Sequence, residues 1–295
     1  MPIWRQAEDG VRLRLAYWTK RDAIGTIFLF PGRTEPIEKY GRVVQDLTDR
    51  GYAVITIDWR GQGFSDRLTD DNSLGHVNSF RDYQLDVAEM VSAAQGADLP
   101  EPWFLLSHSM GGIIALRALV EKLPVKSAVF SAPMWGLRLP LVLRLMPFVV
   151  PPLYRLLGRH FSYAPGARPA NYVASTEFEE NLLTTDAPTY GRLVQNASTE
   201  PAFALGGPSI HWVGQAAVEG FRLARLARPD LPVLTFLGSR EGVVSLGAIR
   251  RIHAKWPSAN LHIVPDAKHE LMMETPERRR QFFDVMFEFL ASDKT

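Results

Sequence analysis

Residues 102–120 read PWFLLSHSMGGIIALRALV. The run from Trp103 to Ser107 is short and almost continuously apolar, as a strand is when both faces of its sheet are covered. Beyond Met110 the composition turns to Ala, Leu and Ile, the pattern of a well-formed helix. Only a few small or polar residues separate the two, so the chain passes sharply from buried strand into helix. Gly111 and Gly112 supply the small neighbours that let the two elements approach each other.

Working outward, similar apolar runs recur at 26–30, 52–58, 127–132, 232–238 and 261–265. Segments 40–50, 80–95, 110–122, 247–256 and 276–292 read as helices between them, so strand and helix alternate as in a doubly wound α/β fold. Val11, Leu13, Leu15 and Tyr17 alternate at period two, which predicts a half-buried strand near the start. From Met134 to Arg228 strand punctuation stops, and prolines and apolar helical stretches take over. The expected organisation is a core in two parts, 1–133 and 229–295, around a mainly helical cap inserted at 134–228.

The 295 residues carry a formal net charge of +1 and no cysteine. The near-zero balance gives no electrostatic reason to expect a nucleic-acid partner. Without cysteine there is no disulfide, thiolate metal site or cysteine nucleophile. The charged N-terminal stretch lacks the apolar core of a signal peptide, so the expected location is cytoplasmic. The stretch 137–158, LRLPLVLRLMPFVVPPLYRLLG, is apolar but interrupted by Arg138, Arg144, Arg155 and four prolines, which argues against a spanning helix. It reads either as a buried pair of cap helices or as an apolar lid over a greasy ligand or membrane surface. No Asp or Glu occurs between Glu121 and Glu177, whereas Lys122, Lys126, Arg138, Arg144, Arg155, Arg159 and Arg168 do. This local positive charge either attracts anionic head groups, giving a peripheral contact with membrane, or is a solvated face balanced by acids elsewhere.

Ser109 sits at the strand-to-helix turn. There it is either an activated nucleophile or a serine capping the helix. Its motif is S-x-S-x-G, with Ser107 where the G-x-S-x-G elbow has glycine. A nucleophilic serine needs a base and a group to orient that base, in the chain order Ser, acid, His for this architecture. Glu241 follows the apolar run 232–238, and His269 follows 261–265, both at the sheet edge where open α/β folds build sites. Asp266 and a purely structural Glu241 are the alternatives. After the run 26–30, Pro31 and Gly32 turn the chain, and the backbone N–H groups of Arg33 and Met110 are candidates for holding an oxyanion. His108 reads as packing or hydrogen bonding under the turn. His76 and Arg33 are candidates for substrate contact or for purely structural roles.

Four segments together, PGRTEPIEKY, DWRGQGFSDR, HVNSFRDYQLDV and SHSMGG, resemble in order those of the monoacylglycerol lipase and lysophospholipase branch of the serine α/β-hydrolases. The resemblance implies ester hydrolysis by Ser109, Glu241 and His269, with Arg33 and Met110 forming the oxyanion hole. It calls for no cofactor, and the dispersed histidines show no metal-ligand spacing. Pro31, Ser107 and Glu241 depart from the family's usual histidine, glycine and aspartate. A lipid ester is the substrate expected; a small soluble ester or amide, or a non-catalytic ligand-binding role, are the alternatives.

Overall fold

A computed structural model describes residues 2–138 and 145–292. Its eight strands are β1 (Pro2–Gln6), β2 (Arg12–Trp18), β3 (Thr26–Phe30), β4 (Ala53–Asp58), β5 (Trp103–His108), β6 (Ser127–Ser131), β7 (Val233–Gly238) and β8 (Ala259–Val264). They form one sheet in the order β1-β2-β4-β3-β5-β6-β7-β8. β1, β2 and β4 pair antiparallel, and every pairing from β4 onward to β8 is parallel. Strands β3 to β7 are buried at every position, the outcome their continuous apolar runs predict.

The sheet edges are where the sequence was hardest to read. β1 alternates exposed and half-buried residues and has its register set by β2, with Pro2 opposite Ala16 and Gln6 opposite Arg12. Its own five residues carry too little apolar pattern to announce a strand. β8 was expected to be covered on both faces, but Leu261 and Ile263 are 40% and 47% exposed because β8 is the last strand and one face meets solvent.

Helices α1 (Gly41–Asp49), α2 (Tyr83–Gly96), α3 (Met110–Val120), α7 (Leu246–His253) and α8 (Pro276–Ser292) flank the sheet. Val43, Leu47, Phe282 and Met286 build the core on one face. Met90, Ile113, Leu116 and Ile252 belong to the core on the other. Between β6 and β7 the chain forms α4 (Met146–Leu156), α5 (Ala187–Thr199) and α6 (Ile210–Leu223), and no strand among the described residues. α4 lies on α6 where Gly214 leaves room for Pro151 and Pro147. Apart from those prolines α4 buries little: Leu153 is 50% and Leu156 83% exposed. The buried-pair reading of 137–158 therefore fails for α4, while residues 139–144 lie outside the described residues. Among the described residues no helix is long and apolar enough to cross a membrane.

The segment DWRGQGFSDR forms a knot of buried charge. Asp58, fully buried at the end of β4, accepts from Arg14 Nε at 2.7 Å and from the backbone N–H groups of Ile37 and Phe64, both at 2.9 Å. Gly63 has φ 52° and lies so close to the Asp58 carboxylate that a Cβ there would collide with it. Arg60 is paired with Asp86 at 2.7 Å and with Asp9 at 2.6 Å. Removing one member of a buried, hydrogen-bonded pair leaves its partner stranded in a poor dielectric. Asp58→Ala is expected to lower the unfolding free energy by about 3–5 kcal/mol, read as a shift in the urea midpoint.

Candidate functional site

Ser109 is the hinge between β5 and α3, with φ 48° and ψ −115°. A non-glycine residue at positive φ stores strain and persists only when its surroundings over-determine it. Here they do. Ser109 N–H donates to Ser131 O at 3.1 Å, and Ser109 O accepts from Gly112 N–H at 2.9 Å and Met134 N–H at 2.8 Å. A Cβ at Gly111 would run into the carbonyl oxygens of Phe30 and Pro31, so glycine is required for α3 to cross β3 this closely. Ser107 is fully buried in β5, and its hydroxyl is accommodated beside Val129 O, 3.5 Å away, so the substitution of the usual glycine leaves the turn intact.

His269 and Glu241 meet. Nδ1 of His269 lies 2.8 Å from Glu241 Oε2, which assigns the proton to Nδ1 and leaves Nε2 with its lone pair in the neutral ring. The other carboxylate oxygen accepts from the N–H groups of Val243 at 2.6 Å and Val244 at 3.0 Å. Burial alone would raise the Glu241 pKa, but His269 and the two backbone donors outweigh it and hold the group below its ordinary value. The extra methylene of glutamate is thus absorbed by a loop that folds its own amides onto the carboxylate. Asp266 is exposed and accepts nothing from His269. Ser109 and His269 line one cavity of about 240 Å³, without a direct hydrogen bond between them. Met134, Tyr172, Leu193, Phe203 and Val243 supply much of its apolar wall. A roomier groove of about 530 Å³, lined by Trp135, Phe221 and Ile252, contains neither residue.

The turn after β3 leaves one amide unclaimed. Gly32 N–H donates to the Glu35 carboxylate, and Thr34 N–H to Gln62 Oε1 at 2.6 Å. Arg33 N–H, between them, has no acceptor among the described residues. Met110 N–H, first in α3, has no intrahelical acceptor. Gln62 spans the two, with Nε2 3.7 Å from Met110 Sδ.

Sequence reasoning missed what lies underneath. Lys39 Nζ donates to Glu35 Oε1 at 2.7 Å and to Glu270 Oε1 at 2.6 Å, and Tyr40 OH also donates to Glu35. His108 Nδ1 faces Ser131 O at 3.0 Å, so it carries a proton, while Nε2 sits 3.3 Å from Glu270 Oε2 and 3.6 Å from Glu35 Oε1. Burial works to lower the His108 pKa, but Glu270 and Glu35 prevail and raise it, favouring an imidazolium. Glu35, His108 and Glu270 place ligand-type atoms within 4.8 Å of one another, yet Lys39 already bridges the carboxylates and no added cation is required to balance them. The signal was present in Glu35 and Lys39 of PGRTEPIEKY, but their partners His108 and Glu270 lie far away in sequence. The expected role of His108 under the turn is borne out: its ring packs on that of His269 with centroids 4.8 Å apart.

Residues 21–276 match the family described as serine aminopeptidase, S33 (Hydrolase_4), and the chain belongs to that family of serine hydrolases. It is 29% identical to lysophospholipase L2 of Escherichia coli over 97% of this chain and 88% of that protein. It is 28% identical to a probable lysophospholipase L2 of Haemophilus influenzae, over 90% and 83%. In fold it is similar to a soluble variant of Saccharomyces cerevisiae monoglyceride lipase, with TM-score 0.78, 19% identity and coverage of 99% and 95%. A Paleococcus ferrophilus monoacylglycerol lipase gives TM-score 0.72, 21% identity and coverage of 96% and 99%. The α/β-hydrolase fold and the branch that the sequence motifs resemble are both borne out.

His76 takes the structural of its two readings. Its Nδ1 lies 2.8 Å from Ser209 Oγ and its Nε2 3.2 Å from Asn78 Oδ1, with His211 stacked beside it at 5.3 Å. Burial, reinforced by His211 and His160, pushes its pKa from 6.5 down to about 4. The unfolded chain therefore takes up a proton that the folded one refuses, and stability present above pH 6.5 is lost as pH falls toward 4. Urea midpoints measured from about pH 7 down to about pH 4.5 should fall less steeply for His76→Gln than for the wild type.

Proposed function

We propose that this chain hydrolyses the carboxylic ester of a single-chain lipid, a lysophospholipid or monoacylglycerol, through an acyl-enzyme on Ser109. The observation that carries this reading is that His269, hydrogen-bonded to Glu241, lines the same cavity as Ser109. In the proposed reaction His269 Nε2 takes the proton from Ser109 Oγ as the oxygen attacks the ester carbonyl. Glu241 holds the ring in the required tautomer and stabilises the imidazolium. The N–H groups of Arg33 and Met110 receive the oxyanion. Collapse of the tetrahedral intermediate expels the alcohol, which takes its proton from His269, and water activated by the same nitrogen then releases the acid and restores Ser109. A cavity of about 240 Å³, below the usual range of about 300–1,000 Å³ for ligand sites, favours one acyl chain over two. The lysophospholipase and monoglyceride lipase names of the similar proteins support the lipid class.

The insertion 134–228 acts as the cap in this reading, and α4 as its contact with an anionic membrane surface. Leu145, Met146, Val149, Leu153 and Leu156 are exposed along it. Arg155, Arg159 and Arg168 are exposed nearby in the chain and form no ion pair among the described residues. An apolar stripe beside unpaired cations is the composition of an interfacial helix.

A fluorophosphonate should add once to the wild type and not at all to Ser109→Ala, read by intact mass; equal labelling would remove Ser109 from the reaction. Glu241→Gln should keep the fold by circular dichroism while ester turnover falls by roughly 10³-fold or more. Sedimentation with phosphatidylglycerol vesicles should bring the wild type down at low salt, weakly at high salt, and should fail for Leu153→Asp/Leu156→Asp; binding indifferent to salt and to these changes would exclude the α4 surface.

A further inference from the structure

Arg33 carries an unsatisfied charge at the active-site cavity. The most deeply buried arginines meet acids, Arg14 with Asp58, Arg60 with Asp86 and Arg117 with Glu219, whereas the half-buried Arg67 and Arg228 donate to backbone carbonyls and line no part of this cavity. Arg33 pairs with no carboxylate among the described residues. Its Nη2 donates to Gly206 O at 2.5 Å, its Nε is buried without a partner, and no acceptor among the described residues takes up Nη1. Trp212 lies under the guanidinium at 5.5 Å, and Gly75 leaves the space it fills, since a Cβ there would strike Nη2. Burial pushes its pKa down to about 10, so the group stays cationic at neutral pH.

An unpaired buried cation costs several kcal/mol. A tie between the turn after β3 and Gly206 would need one donor and no charge. The acceptor-free Nη1, on a residue that lines the cavity, is instead a charged donor for an anion's oxygen. Lys39, the other cation lining this cavity, is consumed by Glu35 and Glu270.

We infer that the Arg33 side chain receives the phosphate of the substrate head group and selects a lysophospholipid over a monoacylglycerol. This rests on the function proposed above. In that reading the backbone N–H of Arg33 faces the ester oxygen, so the guanidinium stands one arginine side chain away. That is comparable to the glycerol span between ester and phosphate in a lysophospholipid. One residue then reads both ends of the glycerol: its amide the ester, its side chain the anion.

Binding separates this from catalysis. An ether-linked lysophosphatidylcholine and an alkylglycerol of the same chain length, neither with an ester to cleave, are titrated calorimetrically below their micelle concentrations. The wild type should prefer the phosphate-bearing ligand by about tenfold or more. In Arg33→Gln, which removes the charge and keeps a polar side chain, the ratio of the two affinities should fall to about two or less, and Arg33→Lys should lie between. A wild type with no preference, or a preference retained in Arg33→Gln, overturns the inference. Should Arg33→Gln fail to fold, the wild-type ratio and its reduction in Arg33→Lys decide alone. Failure of the hydrolase reading would appear separately, as wild type that binds selectively but turns over no ester.

Discussion

Glu35, Lys39, His108 and Glu270 form a buried, charge-balanced cluster, and each belongs to a segment that the site needs. Glu35 accepts the amide of Gly32 and so shapes the turn that presents Arg33 N–H. His108 immediately precedes Ser109, and Glu270 immediately follows His269. Lys39 joins the two carboxylates. The segments at the ends of β3, β5 and β8 are thereby held by one set of buried ion pairs that water does not screen. A buried cluster of this kind is a specifying device: any one member misplaced leaves a charge stranded, so alternative loop arrangements are penalised.

The central sheet was legible because β3 to β7 are buried on both faces and write that fact as unbroken apolar runs. A strand covered on both faces must be apolar at nearly every position, so its signal survives reading one residue at a time. β1 and the exposed face of β8 were not legible, since an edge strand takes its existence and register from a neighbour. The long stretch between β6 and β7 was legible as an interruption in strand rhythm. The exposure of α4 was not, because an apolar segment reads the same whether it meets a core or a solvent-facing surface.

Much the same division holds within the site. Ser109, Glu241 and His269 follow strand ends, so position along the chain was enough to find them, and Glu241 rather than Asp266 reaches His269. The free amide of Arg33 was legible from the Pro31-Gly32 turn alone. The charge cluster was not, because its pairs span up to 231 residues and no period or spacing links Lys39 to Glu270. Nor was the lack of an acid beside Arg33, because the acids that meet other arginines lie far from them in sequence, as Asp58 does from Arg14.

The loop that carries His269 is also held from above. Leu183 O accepts Glu270 N–H at 2.8 Å, Thr184 Oγ1 donates to Met273 O at 2.9 Å, and the Glu274 carboxylate accepts from Thr185 at its backbone and its hydroxyl. Residues 183–185 lie between β6 and β7 and Leu183 lines the cavity, so one wall of the cavity and the segment that carries the imidazole are hydrogen-bonded into one piece. In the hydrolysis proposed above, a displacement of residues 183–185 would be transmitted to the proton acceptor, so the shape of the cavity and the position of the base cannot vary independently.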